Sequence, residues 1–252
     1  LVYQDPSLRP MSDMDLLTPA DKLQESYNLL QEMGYQAPPF TNPVKEARRH
    51  HHLPPLVKTG AGIIELHWNL VAPNSQHPID LEALWQRAQP ANLAGAQAHV
   101  LCPEDLLLHL ALHFNNHNFR LELRHLYDLL ATLEHYQDQI DWTILLTRSQ
   151  AWRAQRCLFL ALYLAHNLLN APLPGDFLAQ LTPPGFTDAM AEQARQRLLN
   201  PQSKELHPDL VQLWSRRPAA HKINAAWRAL FPPLEYMRHK YQTPPQALRI
   251  YP

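Results

Sequence analysis

Asp13-Met14-Asp15, running into Leu16-Leu17, sets two carboxylates two residues apart in a segment that reads as a short strand. Alternate residues of an extended chain project to the same side, about 6 to 7 Å apart along the backbone, so their oxygens can converge on a hard cation such as Mg²⁺. A solvated turn has the same spacing, so the pair alone decides little. Glu65 adds a third carboxylate, placed mid-strand in Ile63-Ile64-Glu65-Leu66-His67-Trp68. An unpaired charge buried there is costly, and a metal or cationic partner relieves it; the plain alternative is an edge-strand charge facing water. Ile64, Leu66 and Trp68 point one way and Ile63, Glu65 and His67 the other, so Glu65 and His67 share a face.

Other polar groups stand at informative spacings. Arg9, four residues before Asp13, can grip phosphate through its guanidinium fork or form a salt bridge with Asp5 or Asp13. His67 either orients Glu65 and contacts an acceptor or is a packed structural histidine. His109, His113 and His117 recur every four residues on one helical face, a spacing that can build a metal site. Glu does not follow His109 to make a His-Glu-x-x-His motif, and a hydrogen-bonded stripe facing a cleft is favoured over a histidine-based metallohydrolase. Arg124 and Asp128 are spaced for an intrahelical ion pair, which in a functional setting would hold Arg124 at the cleft. His50-His51-His52 after Arg48-Arg49 reads as a solvated basic loop, with a phosphate contact as the alternative.

The elements that must position these groups change character near residue 100. The 252 residues include 24 prolines against 6 glycines, which cut the chain into short, sharply bounded elements. Thr18-Pro19-Ala20-Asp21 has the hydroxyl, proline and carboxylate of a helix start, and Leu23, Tyr27 and Leu30 form the apolar face of a helix that Gly34 stops. Beyond Leu101 the reading is helical. One helix starts at Pro103-Glu104-Asp105, with its acids where the dipole favours them, and a second runs from about Leu121 to Tyr136. Asp141 caps a stretch that reaches Asn170 with a break near Gln150. Ala189 to Leu199 is another helix, and Trp227 to Pro252 reads as short helices or extended packing segments.

Composition narrows the function. With 46% hydrophobic residues the chain can bury a real core. Its net charge of -1, from 22 basic and 23 acidic residues, gives no bulk attraction to nucleic acid or anionic membrane. Cys102 and Cys157 make neither a disulfide framework nor a Cys-based zinc site, which fits a reducing, cytoplasmic setting. The longest apolar run, Leu158 to Ala165, is far short of the roughly 20 residues of a spanning helix, so no membrane association is expected. Leu1-Val2-Tyr3 reads as an element already in progress, and further residues are expected upstream.

Arg9-Pro10-Met11-Ser12-Asp13-Met14-Asp15-Leu16-Leu17 resembles the R-P-x-x-D-x-D-L-L signature of the uncharacterised bacterial nucleotidyltransferase family within the polymerase-beta-like superfamily. Glu65-Leu66-His67-Trp68 resembles its second block. Pro103 through Leu110 and on to His113 matches the third, and Leu123 to Asp128 with Asp141-Trp142 the fourth. The resemblance spans essentially the whole chain. It implies an α+β protein: a nucleotidyltransferase-like mixed sheet over residues 1–100, expected to be truncated at its N-terminus, and a helical region over 101–252. It also implies transfer of a nucleoside monophosphate from an NTP to a protein, small-molecule or nucleic-acid acceptor, with Mg²⁺ or Mn²⁺ held by Asp13, Asp15 and Glu65. Arg9, Ser12, His67, His113, Arg124 and Asp128 are then the candidate substrate-binding residues. The Gly-Ser pair common before Asp-x-Asp in that superfamily is absent here, and the alternative is a non-catalytic binding or regulatory protein that kept the fold.

Overall fold

The computed structural model describes residues 2–199, apart from 4, 6, 8, 40, 94, 117–122 and 185. The segment expected from Trp227 to Pro252 and the third histidine of the stripe, His117, lie outside the described residues. Leu1–Leu199 form one compact unit, an α+β fold with its sheets before Leu101 and helices after it.

The first sheet has three strands, β1 (Asp13–Leu17), β2 (Leu56–Lys58) and β3 (Gly62–His67), in the order β1-β3-β2. β3 is central. It pairs in parallel with β1 and antiparallel with β2, with Asp15 opposite Glu65 and Leu17 opposite His67. The two segments expected to be neighbouring strands are therefore hydrogen-bonded along their whole length. Alternation on β3 works as its sequence requires: Ile64 and Leu66 are buried, while Ile63, Glu65 and His67 are half-buried on the other face.

The parallel pairing needs a crossover between Leu17 and Gly62, and α1 (Leu23–Glu32) provides its main element. Leu23, Tyr27 and Leu30 pack with Leu53, Leu56, Ile64 and Leu66 in one apolar cluster behind the sheet. Gly34 ends this helix as anticipated. With φ +91° it lets Tyr35 N–H reach the Leu30 carbonyl and its own N–H the Gln31 carbonyl, both orphaned by the helix end. The start differs from expectation. Thr18 does not cap: its hydroxyl lies 2.8 Å from Ser26 Oγ and its N–H extends the β1–β3 ladder to the His67 carbonyl, so a 3-10 turn at Ala20–Lys22 precedes the helix.

After the short helices α2 (Pro43–Ala47) and α3 (Leu81–Arg87) comes a hairpin the sequence does not announce, β4 (Gln89–Leu93) with β5 (Ala96–Val100). Its strands contain Pro90 and three alanines, with Val100 their one β-branched residue, while Gly95 with φ +91° takes the turn. The helical part follows as α4 (Pro103–Asn116), α5 (Leu123–Tyr136), α6 (Trp142–Ala151), α7 (Gln155–Leu169), α8 (Phe177–Leu181) and α9 (Asp188–Leu199). Asp141 caps α6 through the N–H groups of Thr143 and Ile144. The expected break falls at Trp152 to Ala154, where Arg153 turns left-handed with φ 53°. α7 packs against both α4 and α5, and Leu107, Leu112, Phe114, Leu126, Leu129, Leu158 and Leu162 form the second core.

The acidic start of α4 does more than meet the helix dipole. Asp105 is fully buried and accepts from Arg87 Nε at 3.0 Å and Arg148 Nη1 at 2.8 Å, while Glu104 Oε1 accepts the Asp141 N–H at 2.9 Å. This carboxylate ties α3, α4 and α6 together. Removing one member of such a pair strands the other charge, so Asp105→Ala is expected to cost about 3 to 5 kcal/mol in urea unfolding. A loss below about 1 kcal/mol would mean that the two arginines find water or other partners at no cost.

Candidate functional site

Directly paired residues of neighbouring strands project to one side of a sheet, about 4.8 Å apart. The β1–β3 register therefore places Asp13, Asp15 and Glu65 on a single face, with His67 one step further along. Asp13 and Asp15 are exposed, whereas the side chains of Glu65 and His67 retain 22% and 13% of their exposure. His67 Nε2 approaches Asp15 Oδ1 at 3.2 Å and Glu65 Oε2 at 3.7 Å. That nitrogen is buried and makes no well-aligned hydrogen bond, so its coupling to the carboxylates is electrostatic more than directional. The same proximity, reinforced by His109 and His113, holds the Asp15 carboxyl below its usual range against the opposing effect of burial. Asp13 accepts from the neighbouring Ser12 hydroxyl at 3.0 Å.

A loop histidine completes this face. His52 bridges to His67 in antiparallel fashion, and Leu53 N–H bonds to the Leu66 carbonyl, so the segment after α2 continues the sheet beside β3. Leu53 turns into the core and His52 to the carboxylate face, where its Nδ1 stands 3.5 Å from Glu65 Oε2. The expectation of a solvated His50-His51-His52 loop is corrected: His50 is exposed, but His51 and His52 are half-buried, with ring centres 5.4 and 4.9 Å from that of His67. Leu53 beside a polar His52 is the one sequence signal that could have suggested an extended strip. Nothing local indicated which strand it would join.

Helices α4 and α5 bring further imidazoles. His109 and His113 lie 6.0 Å apart by ring centres, and His113 stacks on His125 at 5.6 Å. His109 and His113 both lie near enough to act electrostatically on Asp15. Burial pushes the pKa of His109 down to about 4, helped by His113, and that of His51 down to about 4, helped by His52 and His67. Burial and His125 lower His113 as well.

The arginine expected at phosphates is engaged elsewhere. Arg9 Nε and Nη2 donate to the two oxygens of Asp128 at 2.8 and 3.0 Å, Tyr3 Oη donates to the same carboxylate at 2.6 Å, and Arg9 Nη1 reaches the Pro10 carbonyl. The ion-pair alternative therefore stands with a partner 119 residues away in place of Asp5 or Asp13, a distance no local spacing reveals. Arg124 Nη1 donates to the same Pro10 carbonyl at 3.2 Å, which places this α5 residue beside the segment leading into β1.

With this geometry in view, comparison with known families gives a definite result. The chain belongs to the family described as uncharacterised nucleotidyltransferase, whose family model matches residues 1–170. No curated protein and no solved structure matches it. No helix among the described residues is long and apolar enough to cross a membrane.

The depressed histidines make stability depend on pH. Folded His51 and His109 titrate near 4 against 6.5 for an unperturbed imidazole, so between those values the unfolded chain binds more protons and acid favours unfolding. The melting temperature should be flat above about pH 7 and fall progressively from about 6.5 towards 4, with His109→Gln shallower than wild type. A melting temperature that holds or rises on acidification across that range contradicts the burial of these rings.

Proposed function

We propose that the protein is a metal-dependent nucleotidyltransferase of the polymerase-beta-like kind, moving a nucleoside monophosphate from an NTP to an acceptor hydroxyl. The family assignment supports transfer of this class. The observation that carries the site assignment is the parallel β1–β3 register, with Asp15 opposite Glu65 and Asp13 on the same face. Oxygen donors gathered on one face suit a hard divalent ion, and Asp13, Asp15 and Glu65 are the residues that would hold Mg²⁺ or Mn²⁺. When bound, such an ion neutralises charge on the triphosphate and lowers the pKa of the acceptor hydroxyl.

The chain's own groups prepare that chemistry. His67 favours the ionised form of Asp15 and stands against Glu65, so one ring is coupled to two of the three carboxylates. Ser12 fixes one rotamer of Asp13 through its hydroxyl. Arg9 and Asp128 act on the substrate indirectly, by clamping the segment before β1 to α5, and Arg124 shares that clamp at Pro10. His113 lines the wall opposite the carboxylates, on the side assigned to the acceptor. That acceptor is a protein, small-molecule or nucleic-acid hydroxyl, and on this reading the sheet-bearing part before Leu101 carries catalysis while the helices from α4 onward form the acceptor side.

The test is incubation of the purified chain with labelled NTPs and Mg²⁺ or Mn²⁺, reading pyrophosphate release and label transfer to itself or to added acceptors. Transfer should be abolished by EDTA and by Asp13→Asn or Asp15→Asn, while both variants melt at or above the wild-type temperature, because clustered carboxylates repel one another without an ion. Label transfer that survives both substitutions overturns the site. Absence of pyrophosphate release with every NTP, in protein that binds nucleotide, favours the non-catalytic binding reading instead.

A further inference from the structure

The carboxylate face is lined with more nitrogen than a magnesium site requires. One ring nitrogen each of His52 and His67 and one oxygen of Glu65 all lie within 4.8 Å of one another. The three come from two neighbouring strips of one sheet, held by the His52–His67 bridge and the β3 backbone, so the grouping is built into strand pairing and does not depend on a flexible loop. They are sheltered but reachable, with side-chain exposures of 30%, 13% and 22%. The buried His67 Nε2, without an aligned hydrogen bond, sits inside this group. A buried donor or acceptor left unsatisfied is costly, and a ligand at that atom removes the cost.

We propose that His52, Glu65 and His67 form a binding site for a borderline transition-metal ion, of which Zn²⁺ is the test case, distinct in donor chemistry from the all-oxygen set of Asp13, Asp15 and Glu65. Two imidazoles and a carboxylate suit Zn²⁺ far better than Mg²⁺, which prefers oxygen and sheds its water reluctantly. Three protein ligands leave a fourth tetrahedral position for water or an incoming oxygen. Asp15, 3.2 Å from His67 Nε2, borders the site and adds negative charge that favours any cation there. Glu65 belongs to both sets, so the two sites share one wall. The proposal stands whether or not the chain transfers nucleotides, since it rests on the donor atoms alone.

Co²⁺ reports such a site directly, because its visible absorption depends on donor type and coordination number. The metal-free chain is titrated with Co²⁺, then with Zn²⁺ against a chromophoric chelator, in wild type, His52→Gln, His67→Gln, Asp13→Asn and, as a control for exposed histidines, His135→Gln. In wild type the intense Co²⁺ bands of low coordination number should saturate at one equivalent, displaced by Zn²⁺ and not by millimolar-range Mg²⁺. His52→Gln and His67→Gln should each weaken Zn²⁺ by at least about tenfold, the effect expected even from disturbing outer partners of a zinc ligand. Asp13→Asn, which disables the nucleotidyltransferase reading, and His135→Gln should leave Zn²⁺ affinity unchanged, so failure of one idea is distinguishable from failure of the other. Melting curves confirm that each variant is folded. The proposal is overturned if wild type gives only an octahedral, multi-equivalent Co²⁺ spectrum, if folded His52→Gln binds Zn²⁺ as wild type does, or if His135→Gln loses as much affinity as His52→Gln.

Discussion

Everything at the candidate site depends on one pairing, the parallel alignment of an edge strand, β1, with the central strand β3. β3 carries Ile64 and Leu66 into the cluster formed with α1, and that burial sets which face Glu65 and His67 occupy. A slip of one residue would turn Glu65 into the apolar cluster and Ile64 out to the carboxylates, so the register is protected by the hydrophobic effect acting behind the sheet and not by anything at its front. Once β3 is fixed, the hydrogen-bond ladder places Asp15 opposite Glu65, and Asp13 follows by strand periodicity. The crossover that parallel strands demand also delivers His51 and His52, because the same return path passes alongside β3 at its C-terminal end.

The edge strand is less protected, and the clamp at Asp128 compensates. Met14 and Leu16 keep 56% and 37% of their exposure on the back of β1, so burial holds it less firmly than β3. Two-point contact from Arg9 and a phenol hydrogen bond from Tyr3 instead tie the segment before β1 to α5, with Asp128 almost fully buried between them. A carboxylate with that many charge-assisted donors is well satisfied, and the geometry of a guanidinium fork fixes direction as well as distance. The link between chemistry and the helical part is thus mechanical: α5 anchors the approach to the strand that carries the aspartates.

How much of this was readable beforehand follows the range of the interactions. Strand alternation in Ile63 to Trp68, the glycine stop at Gly34 and the Asp141 cap are set within a few residues, and each is found where the local pattern places it. The three carboxylates were legible because alternation and family blocks both mark them, although only strand pairing brings Glu65 beside Asp15. Partners far apart in sequence were not legible. Arg9 finds Asp128, Asp105 finds Arg87 and Arg148, and His52 finds His67, all across tertiary distance. Thr18 shows the opposite failure, a sound local capping signal overridden when the residue is recruited to prolong the sheet. The hairpin at Gln89 to Val100 escaped notice because alanine and proline are weak strand formers and only the turn geometry supports it.

The electrostatics of the face suit a divalent cation. Among the described residues, the ion-pair contacts of Asp15 and Glu65 run to imidazoles, while the nearby guanidinium of Arg9 is held by Asp128. Burial drives His51 and His109 to pKa values near 4 and lowers His113, so at neutral pH these rings are uncharged dipoles that offer lone pairs and no compensating positive charge. Negative carboxylates beside neutral nitrogen donors form an environment that a divalent ion satisfies on both counts, through charge and through coordination. A fixed lysine or arginine in the same place would neutralise the carboxylates permanently and leave nothing for an ion to do. Protonation of His51, His109 and His113 in acid would add positive charge near those carboxylates.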